Sequence, residues 1–428
     1  MNVGMWLTIA AFVFVAFALL TNKIPGWVAC AISVLVLWFA KVITQEEAFS
    51  NFVSQNIICM IAMQMLTAGI LKTDILHIIA SSIKKVKGGI YVMLAAVMII
   101  PFFLCQFIGG VTAMITVIPL AMGLAKEAGL APTLMVLPAS VGAQAGLMCL
   151  PIGRASVMYL TKNQILESFG STEALGYFDM MNCRLPASIL VFIFVIFIGY
   201  KLLPQRGLAD ESMLENGGMK AIKRSTMPQW KQNVVYIIFV AVIILMSNAK
   251  RVGMNNIQIS MIAALLMILL GVIDSNEAFR AVNWNLVFMM GFILSLRTAM
   301  ARSGAGEAVA TLLDPLFKGG SVFVACAGTF LICVILTQVM DNTALINIFT
   351  PVVVAAAMKH GMSALPVILA VDASCLVSFS TPLASPSSLL AYQLGGYSMK
   401  EMLKFNLPCI LIATVFSIFW IPLYFGAL

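Results

Sequence analysis

Three charged residues stand in stretches that otherwise hold almost no charge. Arg154 lies in "LMCLPIGRASVMYL", and its nearest formal charges are Glu127 on one side and Lys162 on the other. Asp341 lies in "LTQVMDNTALI" and Asp372 in "LAVDASCLVSFSTP". A guanidinium cannot shed its charge, and near a bilayer centre it costs at least about 2.5–3.5 kcal/mol. Its planar fork suits a carboxylate. Arg154 therefore reads either as a clamp for an anionic substrate or as the structural partner of an acid such as Asp341 or Asp372. Asp341 can ligate a cation or carry a proton, and it can equally cap the helix that begins at "NTALI". Asp372 is a second candidate for ionic or proton traffic. Asn342, Thr343, Ser385, Ser387 and Ser388 add uncharged groups that suit either an anion or the satisfaction of freed backbone.

The surrounding chain explains why those charges stand out. Of 428 residues, 61% are hydrophobic and 10% charged, against about 25% charged in soluble domains. Mean hydropathy is +1.03. Such a chain cannot build a polar surface, and its solvent is lipid. The net charge of +8 then marks cytoplasmic loops rather than nucleic-acid binding. The nine cysteines form no CxxC pair, and the two histidines, His77 and His360, are far apart. No metal centre or cofactor is expected beyond a coupling Na⁺. The first apolar run lacks a basic lead and a cleavage site and reads as a retained span.

Continuous apolar runs predict helices at about 4–20, 24–43, 56–72, 185–203, 232–248, 256–273, 284–300 and 404–426. Segments 88–165 and 322–394 are instead punctuated by Gly, Pro, Ser and Thr. Each reads as a helical hairpin (about 88–125 and 322–359) followed by a broken helix (about 130–165 and 363–394). Gly109 and Gly110 permit the tight tip of the first hairpin. The two segments correspond: Thr112 to Pro151 and Thr343 to Pro382 are both 39 positions, and "VITQEEAF" (42–49) matches "VIDSNEAF" (272–279). The chain thus reads as an internal duplication, 1–203 and 232–428, joined by a polar linker at 204–231. Glu47 and Glu277 repeat within it as surface or capping charges.

Five crossings plus one hairpin per half make the second half inverted. The predicted fold is an all-α membrane protein with about ten transmembrane helices in two inverted repeats, each with a re-entrant hairpin and a broken helix. Lysines and arginines crowd loops 73–87, 204–231 and 395–404, so those loops are placed in the cytoplasm and both termini outside. Lys162 and Arg184 are counted among the outward loops. Inverted repeats with discontinuous helices are the build of secondary transporters, whose half-helix ends hold substrate and ions at the midplane.

The tip "DNTA" (341–344), the break "STPLASPSSLLAY" (380–392), "VITQEEAF" and the closing "YSMKEMLKFNLP" (397–408) resemble the divalent anion/sodium symporter family of the ion transporter superfamily. The resemblance covers nearly the whole chain. It implies that Asn342 and Thr343 touch substrate, that Thr381, Pro382, Ser385, Ser387 and Ser388 form a facing loop, and that Asp341 takes the place of a tip serine. Asp341, Asn342, Asp372 and Ser380 are the candidates for ion coupling. In the first half, only Thr112 survives of the family's Ser-Asn-Thr tip, and the facing loop reads Pro151-Ile152-Gly153-Arg154-Ala155-Ser156. Thr112, Arg154 and Ser156 are accordingly candidates for the substrate site, and Arg154 gains a further reading, a tethered cation in place of a first sodium ion.

The expected function is secondary active transport of a small organic anion, a di- or monocarboxylate, coupled to Na⁺ or H⁺, by an elevator-type movement in a homodimer of the plasma membrane. An Na⁺/H⁺ antiporter or an arsenite-type oxyanion exporter of the same superfamily is the alternative. An intramembrane enzyme is disfavoured, because neither histidine lies near a broken segment and the aspartates form no peptidase motif.

Overall fold

The computed structural model describes residues 3–21, 24–81, 89–127, 129–208, 224–304, 311–338, 342–379, 381 and 384–426. These residues are helical with short turns, and no strand occurs among them. Helices α1 (Val3–Thr21), α2 (Gly26–Phe39), α3 (Gln45–Phe49), α4 (Gln55–Leu71) and α5 (Ile75–Ser81) open the chain. They are followed by α6 (Ile90–Leu104), α7 (Gly110–Glu127), α8 (Thr133–Gly146), α9 (Arg154–Ser168) and α10 (Asp179–Phe197). Beyond the linker come α11 (Gln229–Ser247), α12 (Asn256–Leu269), α13 (Ser275–Ala281) and α14 (Trp284–Ser303). The chain ends with α15 (Val322–Leu336), α16 (Asn342–Lys359), α17 (Leu365–Ser374), α18 (Pro386–Gly395) and α19 (Met399–Tyr424).

Among the described residues, α10, α11, α19 and the stretch Gln45–Leu71 are long and apolar enough to cross a membrane. Ser275–Ala281 and Trp284–Met300 would make one more span, bent by 56°. Several other helices are apolar but shorter, including α2, α6, α12 and α15. The protein is an all-helical integral membrane protein.

The first helices of the two halves pack on each other crosswise. Helix α2 lies against α14, and α4 lies against α12. The entry to α3 is a capping box, with Thr44 accepting from the Glu47 amide and Glu47 returning to the Thr44 amide. The entry to α13 repeats it with Asp274 and Glu277, as expected for a polar residue three positions before Glu. Two ion pairs then tie the halves reciprocally. Lys72 at the end of α4 meets Glu277 at 2.5 Å, and Arg302 at the end of α14 meets Glu47 at 2.7 Å. Glu47 and Glu277 are 230 positions apart, and so are Lys72 and Arg302.

The remaining helices form the part that carries the candidate site. Helix α6 packs on α7 and α8, and α15 packs on α17 and α19. The approach of α6 to α8 is close because α8 presents Gly142 and Gly146. A Cβ on Gly142 would enter the Met98 backbone, and one on Gly146 the Phe102 backbone. Small residues let helices cross at backbone distance where lipid offers no hydrophobic drive. The loops 105–109 and 147–153 break the two helices at the same place, and a third glycine, Gly153, holds the turn before α9 with φ 55° and ψ −119°. A side chain there would be strained, and its Cβ would strike the Gln106 carbonyl.

Candidate substrate site

The break in each discontinuous helix frees backbone groups that lipid cannot satisfy. A glutamine just beyond the end of a neighbouring helix, Gln106 after α6 and Gln338 after α15, supplies them at each break. Gln106, fully buried, donates from Nε2 to the Gly146 carbonyl at 2.6 Å and to Phe102 at 2.9 Å. Its Oε1 accepts from the Leu150 amide at 3.2 Å. In the second half, Gln338 donates to the Val377 carbonyl at 3.2 Å and to Val334 at 2.9 Å. Asn406 of α19 donates to the Phe379 carbonyl at 2.6 Å. The irregular backbone is thereby fixed rather than left to water.

Between the breaks lies a cavity of about 200 Å³. At about 30 Å³ per water, that is room for roughly seven waters, or a small organic acid. Gly109, Gly110 and Val111 line it from the start of α7, Ala143, Gln144, Leu147 and Met148 from the end of α8, Asn342 from the start of α16, and Ala384 to Ser387 from the start of α18. The absent side chain of Gly110 matters, because a Cβ there would press on the Ser387 side chain.

The polar lining is one connected network. Ser378, buried in the second break, is its hub. It accepts from Gln144 Nε2 and from Asn342 Nδ2 at 2.9 Å, and donates to the Cys375 carbonyl at 3.0 Å. Thr337 donates to Asn342 Oδ1 at 2.7 Å. Gln144 also reaches the Cys375 carbonyl at 3.4 Å and accepts from Ser387 at 3.4 Å. Ser385 caps α18, accepting from the Ser388 amide at 3.2 Å, and its hydroxyl lies 3.0 Å from that of Ser387 and 2.8 Å from that of Ser388. Hydroxyls and amides can present either donors or acceptors. The helix starts α7, α16 and α18 all bring first-turn residues, Gly110, Asn342 and Ser387, to the cavity wall, and helix N-termini favour negative charge.

The structure thus brings Asn342, Ser385 and Ser387 together, with Ser388 just behind them. Thr112 is solvent-accessible in the first turn of α7, one residue beyond the cavity lining. Thr381 turns away to donate to the Gln338 carbonyl at 2.9 Å. Ser156 is buried, donating to the Pro151 carbonyl at 3.0 Å beside the Tyr177 hydroxyl. Arg154 is the first residue of α9, directly after the Gly153 turn. The side chains of Arg154 and Thr343, and Asp341, Ser380 and Pro382 altogether, lie outside the described residues.

Asp372 is held elsewhere. One of its oxygens meets Lys162 Nζ at 2.7 Å and the other meets Arg184 Nη1 at 3.2 Å. Arg184 also donates to the Asp372 carbonyl at 3.1 Å. All three side chains are essentially inaccessible, at 0–1% exposure. The expectation that Lys162 and Arg184 sit in outward loops is corrected here: they lie within α9 and α10, drawn inside by the buried carboxylate.

A family described as "CitMHS: Citrate transporter" matches residues 12–371. The chain belongs to that citrate transporter family. Among relatives, it is 23% identical to the uncharacterized transporter MJ0672 of Methanocaldococcus jannaschii over 314 residues, 72% of this chain and 68% of that one. It is 22% identical to the sodium-dependent dicarboxylate transporter SdcS of Staphylococcus saprophyticus over 377 residues, 78% of this chain and 70% of that one. The fold is similar to that of MtrF of Neisseria gonorrhoeae, whose structure is described as illuminating antimetabolite efflux pumps, with a TM-score of 0.63, 12% identity and coverage of 99% and 95%. The resemblance to the divalent anion/sodium symporters is upheld, and this CitMHS member is a transporter and not an enzyme.

Gln144, Ser378 and Thr337 of the network, and Gln106 at the first break, are residues that sequence alone does not single out. Gln144 was visible as an amide in the apolar run "ASVGAQAGLM", and a polar side chain at membrane depth is a functional candidate by itself. Ser378 and Thr337 gave no comparable signal, because serine and threonine are common in membrane helices.

Proposed function

We propose that this CitMHS member is a secondary active transporter of a small carboxylate, binding it in the cavity between the two helix breaks and coupling its movement to Na⁺ or H⁺. The observation that carries this is the network joining Gln144 of the first half to Ser378, Asn342 and Ser387 of the second around a cavity of about 200 Å³. Its uncharged donors and helix starts suit a carboxylate, and its carbonyls and hydroxyls suit a bound cation. The sodium dependence named for the similar SdcS supports Na⁺ as the coupling ion.

The two halves are read as inverted repeats, 1–203 and 232–428. The matched capping boxes and the reciprocal Lys72–Glu277 and Arg302–Glu47 pairs support that reading. So does the crosswise packing of α2 on α14 and α4 on α12, which is what a pseudo-twofold axis requires. Helices α1, α2, α4, α11, α12 and α14 would form the scaffold of a homodimer, and the hairpins and broken helices the moving part. Removing Lys162 and Arg184 from the outward loops sharpens the charge bias and supports the reading that both termini face outside.

The test is uptake of radiolabelled succinate and citrate into proteoliposomes with imposed Na⁺ or H⁺ gradients. Saturable uptake driven by one of the gradients is expected. Gradient-driven Na⁺/H⁺ exchange without any carboxylate uptake would replace this reading by the antiporter one.

A further inference from the structure

The Lys162–Asp372–Arg184 cluster does not balance. Two cations share one carboxylate, all at 0–1% exposure, and no other acid is paired with either cation among the described residues. With all three ionised, the described residues leave one unit of positive charge buried here. Burying an uncompensated ion costs several kcal/mol. Packing alone does not account for the second cation. A neutral side chain at 162 would leave a one-to-one Arg184–Asp372 pair, while the lysine instead fills its place with a cation that, among the described residues, also reaches the Met180 sulfur at 3.9 Å.

The cluster lies beside the cavity and not in it. Asp372 precedes Cys375 by three residues in the α17 segment, about 4.5 Å along a helix axis. The Cys375 carbonyl is bonded to Gln144 and to Ser378, the two residues that organise the cavity wall. The cluster thus stands on the order of 10 Å from the cavity, with buried protein between them, where salt screens little.

We propose that the surplus charge of this cluster is an electrostatic determinant of substrate valence: it raises the potential of the cavity from about one helix turn away, so that the site selects anions by their charge. Lys162 is then a positioning residue for charge and Asp372 its partial counterweight. The proposal rests on the carboxylate-transport reading. At ~10 Å and an effective dielectric of ~20, one unit charge alters binding by about tenfold per unit of ligand charge.

The experiment compares succinate, a dianion near neutral pH, with its monomethyl ester, a monoanion, in proteoliposomes of the full chain. Uptake by the wild type first decides the transport reading. If no carboxylate is carried, that reading and this one fall together. Given wild-type uptake, Lys162→Met is expected to raise KM about tenfold for the monoanion and about a hundredfold for succinate, with kcat little changed. Lys162→Arg keeps wild-type KM. The double variant Lys162→Met/Asp372→Asn removes the ion pair but restores one net positive charge, and its KM returns toward wild type for both ligands. Equal KM changes for the two ligands, or no recovery in the double variant, would leave transport intact and overturn the charge proposal. Failure of Lys162→Met to yield folded protein, with the double variant failing too, would make the cluster a structural lock and overturn it as well.

Discussion

Replacing Gln144 by leucine removes one amide and keeps nearly the same volume. The variant loses the bond to Ser378, a long bond to the Cys375 carbonyl and a long bond from Ser387. A net hydrogen bond contributes about 0.5–1.5 kcal/mol. Counting the Ser378 bond in full and the two at 3.4 Å as weak, the loss is about 1–3 kcal/mol. Ser378 then loses one of its two donors while Asn342 still depends on it for orientation. The expected result is a KM for succinate raised about 5- to 150-fold, a kcat within about threefold of wild type, and a monodisperse protein in detergent. Gln144→Glu sharpens the test. It places an acid at the cavity wall, and at ~4 Å with an effective dielectric of ~20 an anionic ligand is repelled by about 4 kcal/mol. Succinate uptake should fall by at least a further tenfold in that variant. A folded Gln144→Leu protein with unchanged KM, or a Gln144→Glu protein that takes up succinate better than the leucine variant, would refute the placement of the anion beside this residue.

Other consequences can be checked separately. Gly146→Ala puts a Cβ into the Phe102 backbone, so α6 must shift off α8, and a loss of about 1–3 kcal/mol is expected as a clear drop in detergent melting temperature. Reversing one partner of the exposed Lys72–Glu277 pair (2.5 Å) should lower the detergent melting temperature only slightly, since exposed ion pairs contribute little, and the double reversal Lys72→Glu/Glu277→Lys should recover it. Asp314, outside the membrane helices, is held below the usual carboxylate range by hydrogen bonds from His360 and Lys359 and by their charge. Its contribution is therefore present above the unfolded carboxylate value of about 4 and disappears as pH falls through the lowered folded value. The melting-temperature difference between wild type and Asp314→Asn should shrink as pH is lowered below the ordinary carboxylate range, and a difference that grows would contradict this.

Much of the fold was legible because lipid imposes simple rules. Apolar runs must become helices, and Gly, Pro and Ser inside them mark irregular backbone. The breaks at "LPIGRAS" and "STPLASPSS" fall between α8 and α9 and between α17 and α18. Helix α10 begins at Asp179, several residues before the predicted span, and its second turn carries Arg184 into the interior, because a charge can be buried when a partner exists. That partner was the part sequence could not give. Lys162, Arg184 and Asp372 are separated by 22 and 188 positions, and nothing local says that the three meet. Asn342, Ser385 and Ser387 were legible from tip and break chemistry. Gln144 became meaningful only once the two halves were placed face to face, since its partners are all more than 230 positions away.

The central claim is that substrate occupies the cavity bounded by Gly110, Gln144, Asn342 and Ser387. The most direct measurement is the rate of maleimide labelling of an S387C variant in a background with the nine native cysteines replaced, with and without succinate. Occupancy of the cavity predicts that succinate slows labelling, saturating at the concentration that half-saturates uptake. Labelling that is indifferent to succinate while the same protein transports it would contradict the account.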